Sequence, residues 1–246
     1  MAGIRIDNVS KTYTLPDGST RRALQTLNQE IGDGEFVALL GPSGCGKTTL
    51  LNIMSGLDTD FEGDVNFTGA QPNPVLSYMF QESRLLPWLS VRENLRFVLD
   101  GERRDQDALI NDWLGRVGLS ESGSFYPAQL SVGMQQRVAL ARALINEPEV
   151  LFMDEPLSSL DELTATQMRD ELLSLWRQHR TTVVLVTHNP MEAVYLADRV
   201  LIMSPGPGRV IRDIDVSARL PRPRDAEDTR LWELSRECVR ILQGKE

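Results

Sequence analysis

The stretch GPSGCGKT at residues 41–48 sets three glycines, a lysine and a threonine where they can hold a phosphate chain. The spacing, glycine, four residues, then Gly-Lys-Thr, is that of a phosphate-binding loop between a strand and a helix. Gly41, Gly44 and Gly46 let the backbone curl until its N–H groups converge on phosphate oxygens. Lys47 is placed to reach the β- and γ-phosphates, and the Thr48 hydroxyl to reach Mg²⁺. Cys45 reads as a small residue tolerated where the backbone does the binding. A second anion-seeking segment lies far downstream, in LSVGMQQRVALARAL at 130–144. Ser131 and Gly133 open a helix there, whose free N–H groups and dipole both favour negative charge. Two phosphate cradles in one chain raise the question of what the second one serves.

Other groups could act on a bound phosphate. VLFMDEP is an apolar strand ending in two acids. Asp154 is placed to hold Mg²⁺ and Glu155 to polarise an attacking water. Pro156 is expected to restrict Glu155 to extended geometry and to end the strand. His188, in THNP after the apolar run TTVVLV, is expected at the ligand edge of a parallel sheet, as a γ-phosphate contact. Gln81 closes the run VLSYMF. Its neutral amide can touch both Mg²⁺ and the lytic water, which suits a sensor.

Such groups need a scaffold that gathers strand ends. IRIDNV alternates like a strand, LPDGST reads as a turn, and RALQTLNQEI as a returning strand. FVALL is a continuous apolar run, the look of a strand buried on both faces, and KTTLLNIMSGL after it is a helix ending at Gly56. Ser90 and Glu93 form a capping box ahead of VRENLRFVL. Leu109, Trp113, Leu114 and Val117 fall on one face of a helix that stops near Gly118. EVLFMDEP, TTVVLVTH and DRVLIMS are further buried strands with helices between them. Strands alternating with helices predict an α/β fold, with a mostly parallel sheet covered on both sides. The core is expected over 1–82 and 149–215, with an inserted helical subdomain over 83–148. A tail helix is expected within 216–246, where Leu231, Leu234, Cys238 and Ile241 recur as a face packed on the chain's own core.

Composition narrows the partners. The 246 residues are 41% hydrophobic and 25% charged, with a formal net charge of −9. An acidic chain gains nothing from general attraction to nucleic acid or anionic lipid, so nucleic acid is not expected as a partner. The apolar runs are too short to span a bilayer, and the first residues lack the pattern of a secretory signal. Two cysteines, Cys45 and Cys238, make neither a disulfide framework nor a metal site, and a reducing cytosol is the expected compartment.

In order, the chain holds GPSGCGKT, MFQE, LSVGMQQR, LFMDEP, SSLD and VTHN. Over residues 4–215 this ordered set resembles the ATPase subunit of ATP-binding cassette (ABC) transporters. The resemblance implies a P-loop NTPase (RecA-like) core with an N-terminal antiparallel β-subdomain and an inserted helical subdomain, and hydrolysis of ATP with Mg²⁺. It implies that Gly41, Pro42, Ser43, Gly44, Cys45, Gly46, Lys47, Thr48 and Thr49 bind the nucleotide. Tyr13 of SKTY matches the aromatic that stacks on adenine, and Asp161 of SSLD the acid that works across a subunit interface. The second cradle then serves another subunit. Two copies pair head to tail as an ATP sandwich, Ser131 and Gly133 of one closing over the γ-phosphate held by the other. Val132 stands where glycine is commoner in the family. It is expected to be tolerated, unless that position needs a positive φ.

The resemblance also implies a separate integral membrane permease, gripped by Leu85, Leu86 and Trp88, and a peripheral place on the cytoplasmic face of the inner membrane. It implies an indirect dependence on a solute-binding protein. The wording LLPWLSVREN, SPGPGRVIRDIDV and LPRPR is similar to the nitrate, sulfonate and taurine importer group. Thiamine-precursor importers look similar. Soluble ABC ATPases acting on DNA or the ribosome differ by a long coiled coil or a second cassette.

Overall fold

The computed structural model describes residues 2–69, 73–99 and 105–245. The chain divides into two compact units, Met1–Pro74 with Arg180–Glu246, and Val75–His179. The first opens with β1 (Ala2–Thr14), β2 (Thr20–Ile31), β3 (Phe36–Leu40), α1 (Lys47–Met54) and β4 (Glu62–Gly69). The second holds β5 (Leu76–Met79), α2 (Val91–Arg96), α3 (Gln106–Arg116), α4 (Val132–Leu144), β6 (Val150–Asp154) and α5 (Glu162–His179). The first resumes with β7 (Thr182–Thr187), α6 (Pro190–Leu196), β8 (Arg199–Met203), β9 (Val210–Asp215), α7 (Val216–Arg219) and α8 (Thr229–Leu242).

In the first unit β1 is the middle of an antiparallel sheet, with Ile4 opposite Ile31 of β2 and Phe67 of β4. A second sheet is built on β3, which runs parallel to β7 and β8, while β9 closes the edge antiparallel to β8. Every residue of β3 and β7 is buried, as a parallel strand covered on both faces requires. Helix α6 packs on β3 and β8, and α8 packs on α6 and β8. Leu231, Leu234 and Cys238 of α8 are buried and Ile241 is half-buried, so the tail helix is a core element. Burial pushes the Cys238 thiol up to about 12.

A strap of chain, LPRPR, anchors α6. The buried Arg224 guanidinium donates to the carbonyl oxygens of Val194 (3.0 Å), Tyr195 (3.1 Å) and Ala197 (2.6 Å) at the helix end, and to Leu220 (2.9 Å). These are carbonyls that a helix C-terminus leaves without intrahelical partners.

In the second unit β5 and β6 pair in parallel, with Tyr78 opposite Phe152. Helix α2 begins with the capping box read from the sequence: Glu93 N–H donates to Ser90 Oγ (3.3 Å) and Ser90 N–H to Glu93 Oε2 (2.7 Å). On α3 and its end, Ile110, Trp113, Leu114 and Val117 are buried, and Leu109 is half-buried beside them. Among the described residues no helix is long and apolar enough to cross a membrane.

Candidate functional site

The phosphate loop joins the end of β3 to α1 in the first unit. Gly46 is the N-cap of α1 at φ 101, and a Cβ there would lie 2.7 Å from Leu24 Cδ2 and 2.9 Å from the Ala23 carbonyl. Only glycine fits. Gly41 serves close approach instead, because a Cβ would meet Cys45 Sγ at 2.8 Å. Cys45 is buried, and burial pushes its thiol up against the opposing charge of Lys47. It is packing, not a nucleophile. Lys47, 5% exposed as a residue, donates from its ammonium to the carbonyls of Gly41 (2.8 Å) and Pro42 (3.1 Å). No acidic residue occupies the first turn of α1, so nothing there competes with an anion for the helix dipole.

His188 is exposed just beyond β7. The register pairs Leu40 with Thr187, so the phosphate loop and His188 leave the sheet side by side, at the edge where parallel sheets bind ligands. Its turn is pinned. The Thr187 hydroxyl donates to Glu192 Oε2 (2.9 Å), Asn189 N–H donates to Thr187 Oγ1 (3.0 Å), and Asn189 Oδ1 caps α6. Tyr13, 38% exposed near the end of β1, lies with its hydroxyl 3.3 Å from Asp58 Oδ2 and 3.4 Å from Thr49 Oγ1.

The acid pair belongs to the second unit. Asp154 ends β6, and Tyr78 on the neighbouring β5 hydrogen-bonds its carboxylate; burial and that negative charge push the Tyr78 phenol up, so it stays a donor. Glu155 departs from the extended geometry expected of it, because its φ is 46. The reason is the turn that follows at once: Ser158 N–H donates to the Glu155 carbonyl (3.2 Å) and Leu160 N–H to that of Leu157 (3.1 Å). A left-handed residue is needed to reverse the chain there. It costs about 1–2 kcal/mol, which the turn's hydrogen bonds offset. Ser158 Oγ adds a bond to the Glu155 carbonyl (2.9 Å) and accepts one from Gln81 Nε2 (3.2 Å). Gln81 and the backbone of Glu155 are thus joined through one hydroxyl.

Ser131 is the N-cap of α4, its Oγ accepting from Met134 N–H at 3.3 Å. Val132 is the first helical residue, 54% exposed and outside the positive-φ region, so the condition that would have made it harmful does not arise. A Cβ on Gly133 would sit 2.8 Å from Thr164 Cγ2. Thr164 donates from its N–H (3.0 Å) and hydroxyl (2.6 Å) to the Asp161 carboxylate, and these bonds hold that carboxyl below its ordinary range. Leu85 and Leu86 are half-buried and Trp88 is 70% exposed. A cavity of about 720 Å³ opens nearby, lined by Gln81, Leu85, Pro87, Val132 and Gln135 among others.

Several supporting residues escaped sequence reasoning. Gln136, 2% exposed, donates to the Gln81 carbonyl (2.8 Å), Gln135 accepts from the Ser83 hydroxyl (3.2 Å), and Arg142 donates to the carbonyls of Ser83 (2.9 Å) and Arg84 (3.0 Å). One side of α4 therefore holds the segment after Gln81. The signal was present: a glutamine on the inward stripe of a helix needs a buried partner.

A family model described as ABC transporter matches residues 24–158. The aliphatic sulfonates import ATP-binding protein SsuB of Bacillus cereus is 40% identical over 227 residues, 91% of this chain and 90% of that one. The taurine import ATP-binding protein TauB of Jannaschia sp. (strain CCS1) is 41% identical over 242 residues, covering 96% and 89%. Among solved structures, a dimeric post-hydrolysis state of the ATP-binding cassette MJ0796 bound to ADP and Pi superposes with a TM-score of 0.76 at 32% identity, covering 87% of this chain and 98% of that one.

Proposed function

The chain belongs to the ABC transporter family, and from that premise we propose that it is the ATP-hydrolysing subunit of an importer for a small solute of the sulfonate or taurine class. The observation that carries this reading is the identity of 40%, spread over nine-tenths of both chains, with a sulfonate import ATP-binding protein. In this reading the subunit sits at the cytoplasmic face of the membrane, docked on a separate permease through the surface around Leu85, Leu86 and Trp88. A solute-binding protein delivers the cargo to that permease.

The phosphates belong to the loop of 41–49, where backbone N–H groups and Lys47 neutralise developing charge, the largest contribution in phosphoryl transfer. Anionic oxygens are stronger acceptors than the carbonyls that Lys47 now holds, so the exchange is favourable. The Thr48 hydroxyl, the Asp154 carboxylate and the Gln81 amide oxygen are hard oxygen donors, a set that fits Mg²⁺ shared with phosphates. When bound, that ion offsets phosphate charge. Tyr78 keeps the Asp154 carboxylate oriented, Glu155 orients and polarises the water, and His188 contacts the γ-phosphate. Ser131 and Gly133 act on the nucleotide of a second copy, and Asp161 works across the same interface.

Two measurements test this. Glu155→Gln keeps the shape but removes the charge and one acceptor oxygen, and is expected to lower ATP turnover by about 10²-fold or more while ATP-bound dimers accumulate. Turnover at the native rate would remove Glu155 from the mechanism. An affinity-tagged copy is expected to retrieve an integral membrane protein from detergent-solubilised membranes, and a catch of ribosomes or DNA would overturn the importer reading.

A further inference from the structure

Tyr13 is held more firmly than its exposure suggests. A ring near a strand end has two soft torsions, and fixing them consumes free energy that a bound ligand must otherwise supply. Here the phenol hydroxyl donates to Asp58 Oδ2 at 3.3 Å and lies 3.4 Å from Thr49 Oγ1. Asp58 is itself fixed, because its Oδ1 accepts from Lys11 Nζ (2.9 Å) and from Asp60 N–H (3.0 Å). Lys11, with 3% of its side chain exposed, also donates to the Asp60 carbonyl oxygen and lies 3.3 Å from the Asp60 carboxylate. Its ammonium stands 4.8 Å from the centroid of the Tyr13 ring. That distance is within cation–π range.

A lysine on an antiparallel strand ordinarily extends into water, so a buried one must be held by partners. Burial works against both charges, yet the hydrogen bonds outweigh it, leaving the Lys11 ammonium above its ordinary range and the Asp58 carboxyl below. The pair is thus charged, and it meets Tyr13 at two places, the hydroxyl and one ring face. Thr49, the third contact, lies in the first turn of α1, at the end of the phosphate-binding stretch. The ring is therefore tied to the element that presents the phosphate cradle.

We infer that Lys11 and Asp58 are positioning residues for nucleobase binding: they clamp the hydroxyl and one face of Tyr13, and so present the opposite face ready-oriented to a purine. The inference rests on the reading that Tyr13 stacks on the base of ATP. It adds that the base platform is preorganised by a part-buried ion pair rather than ordered by the nucleotide on arrival.

Inorganic tripolyphosphate, which carries the phosphate chain without a base, separates this role from a general structural one. Calorimetric titration of the full chain with MgATP and with magnesium tripolyphosphate is the test. Asp58→Asn removes the charge from the clamp, and Tyr13→Phe removes only the hydroxyl while keeping the ring. Each is expected to weaken MgATP binding by about 3- to 10-fold and to leave tripolyphosphate within about twofold, the effect of one lost hydrogen bond. In a Tyr13→Ala background, Asp58→Asn is expected to add nothing further. Equal weakening of both ligands would reduce Asp58 to a fold-keeping role and overturn the inference. MgATP affinity that falls in Tyr13→Ala but stays native in Asp58→Asn and Tyr13→Phe would overturn it too, with base stacking left standing. If Tyr13→Ala itself leaves MgATP affinity native, the base-stacking reading fails first.

Discussion

At the scale of single residues, the glutamate proposed to polarise the attacking water depends on a neighbour that carries no chemistry of its own. Glu155 sits at φ 46, and Ser158 Oγ fixes its carbonyl while accepting from Gln81. Removing that hydroxyl deletes no group proposed to touch ATP, but it frees the Glu155 carbonyl and the Gln81 amide from their shared anchor. Ser158→Ala is therefore expected to lower the turnover number by about 3- to 10-fold at unchanged ATP affinity. Single-turnover kinetics beside equilibrium binding check this, and a loss confined to affinity would show that Ser158 does not act through Glu155. Residues of this kind divide into those a sequence displays and those it hides. Lys47, Asp154, Glu155 and His188 are legible because their types are rare at such spacings and their chemistry is specific. The φ of Glu155 is not, since Pro156 argues locally for extended backbone and only the turn behind it decides otherwise. Tyr78, Lys11 and Asp58 are hidden for another reason: a residue that orients a neighbour leaves no motif, and its partner lies far away in the chain.

At the scale of elements, legibility follows burial. Strands β3, β6 and β7 stand out as apolar runs, whereas β4 and β9 are largely exposed and show no such pattern. The capping box of α2 is local and could be read directly. The grip of α4 on the segment after Gln81 is tertiary and could not. Two elements carry predictions. Helix propensity alone favours Gly133→Ala by roughly 1 kcal/mol, but the new Cβ would lie 2.8 Å from Thr164 Cγ2. The clash decides the sign, so Gly133→Ala is expected to destabilise by about 1–2 kcal/mol. Thr164→Ser deletes that methyl and keeps the hydroxyl on Asp161. In its background the same substitution is expected to become neutral or stabilising in urea unfolding. No change of sign would place the strain elsewhere. The other element is the strap behind α6. A single ammonium cannot reach the four carbonyls that the Arg224 fork serves. Arg224→Lys is accordingly expected to cost about 2 kcal/mol, seen as a lower denaturation midpoint at an unchanged slope.

At the scale of the whole molecule, the two phosphate cradles make a claim that mixing can decide. If Ser131 and Gly133 serve the nucleotide of a second copy, each copy lends one half-site and borrows another, and the interface is self-complementary. Lys47→Ala disables the lent loop, and Ser131→Arg disables the lent helix start. Homodimers of either variant have no intact composite site. A heterodimer has one intact site, made from the loop of the Ser131→Arg copy and the helix start of the Lys47→Ala copy, and one site with both defects. Random pairing makes half the dimers mixed, so an equal mixture of two inactive proteins is expected to recover about a quarter of native ATPase activity. The recovered rate should fall away on dilution, as the rate of the native chain should. If instead each cradle serves its own chain, no mixture regains activity at any concentration, and specific activity stays flat as the protein is diluted.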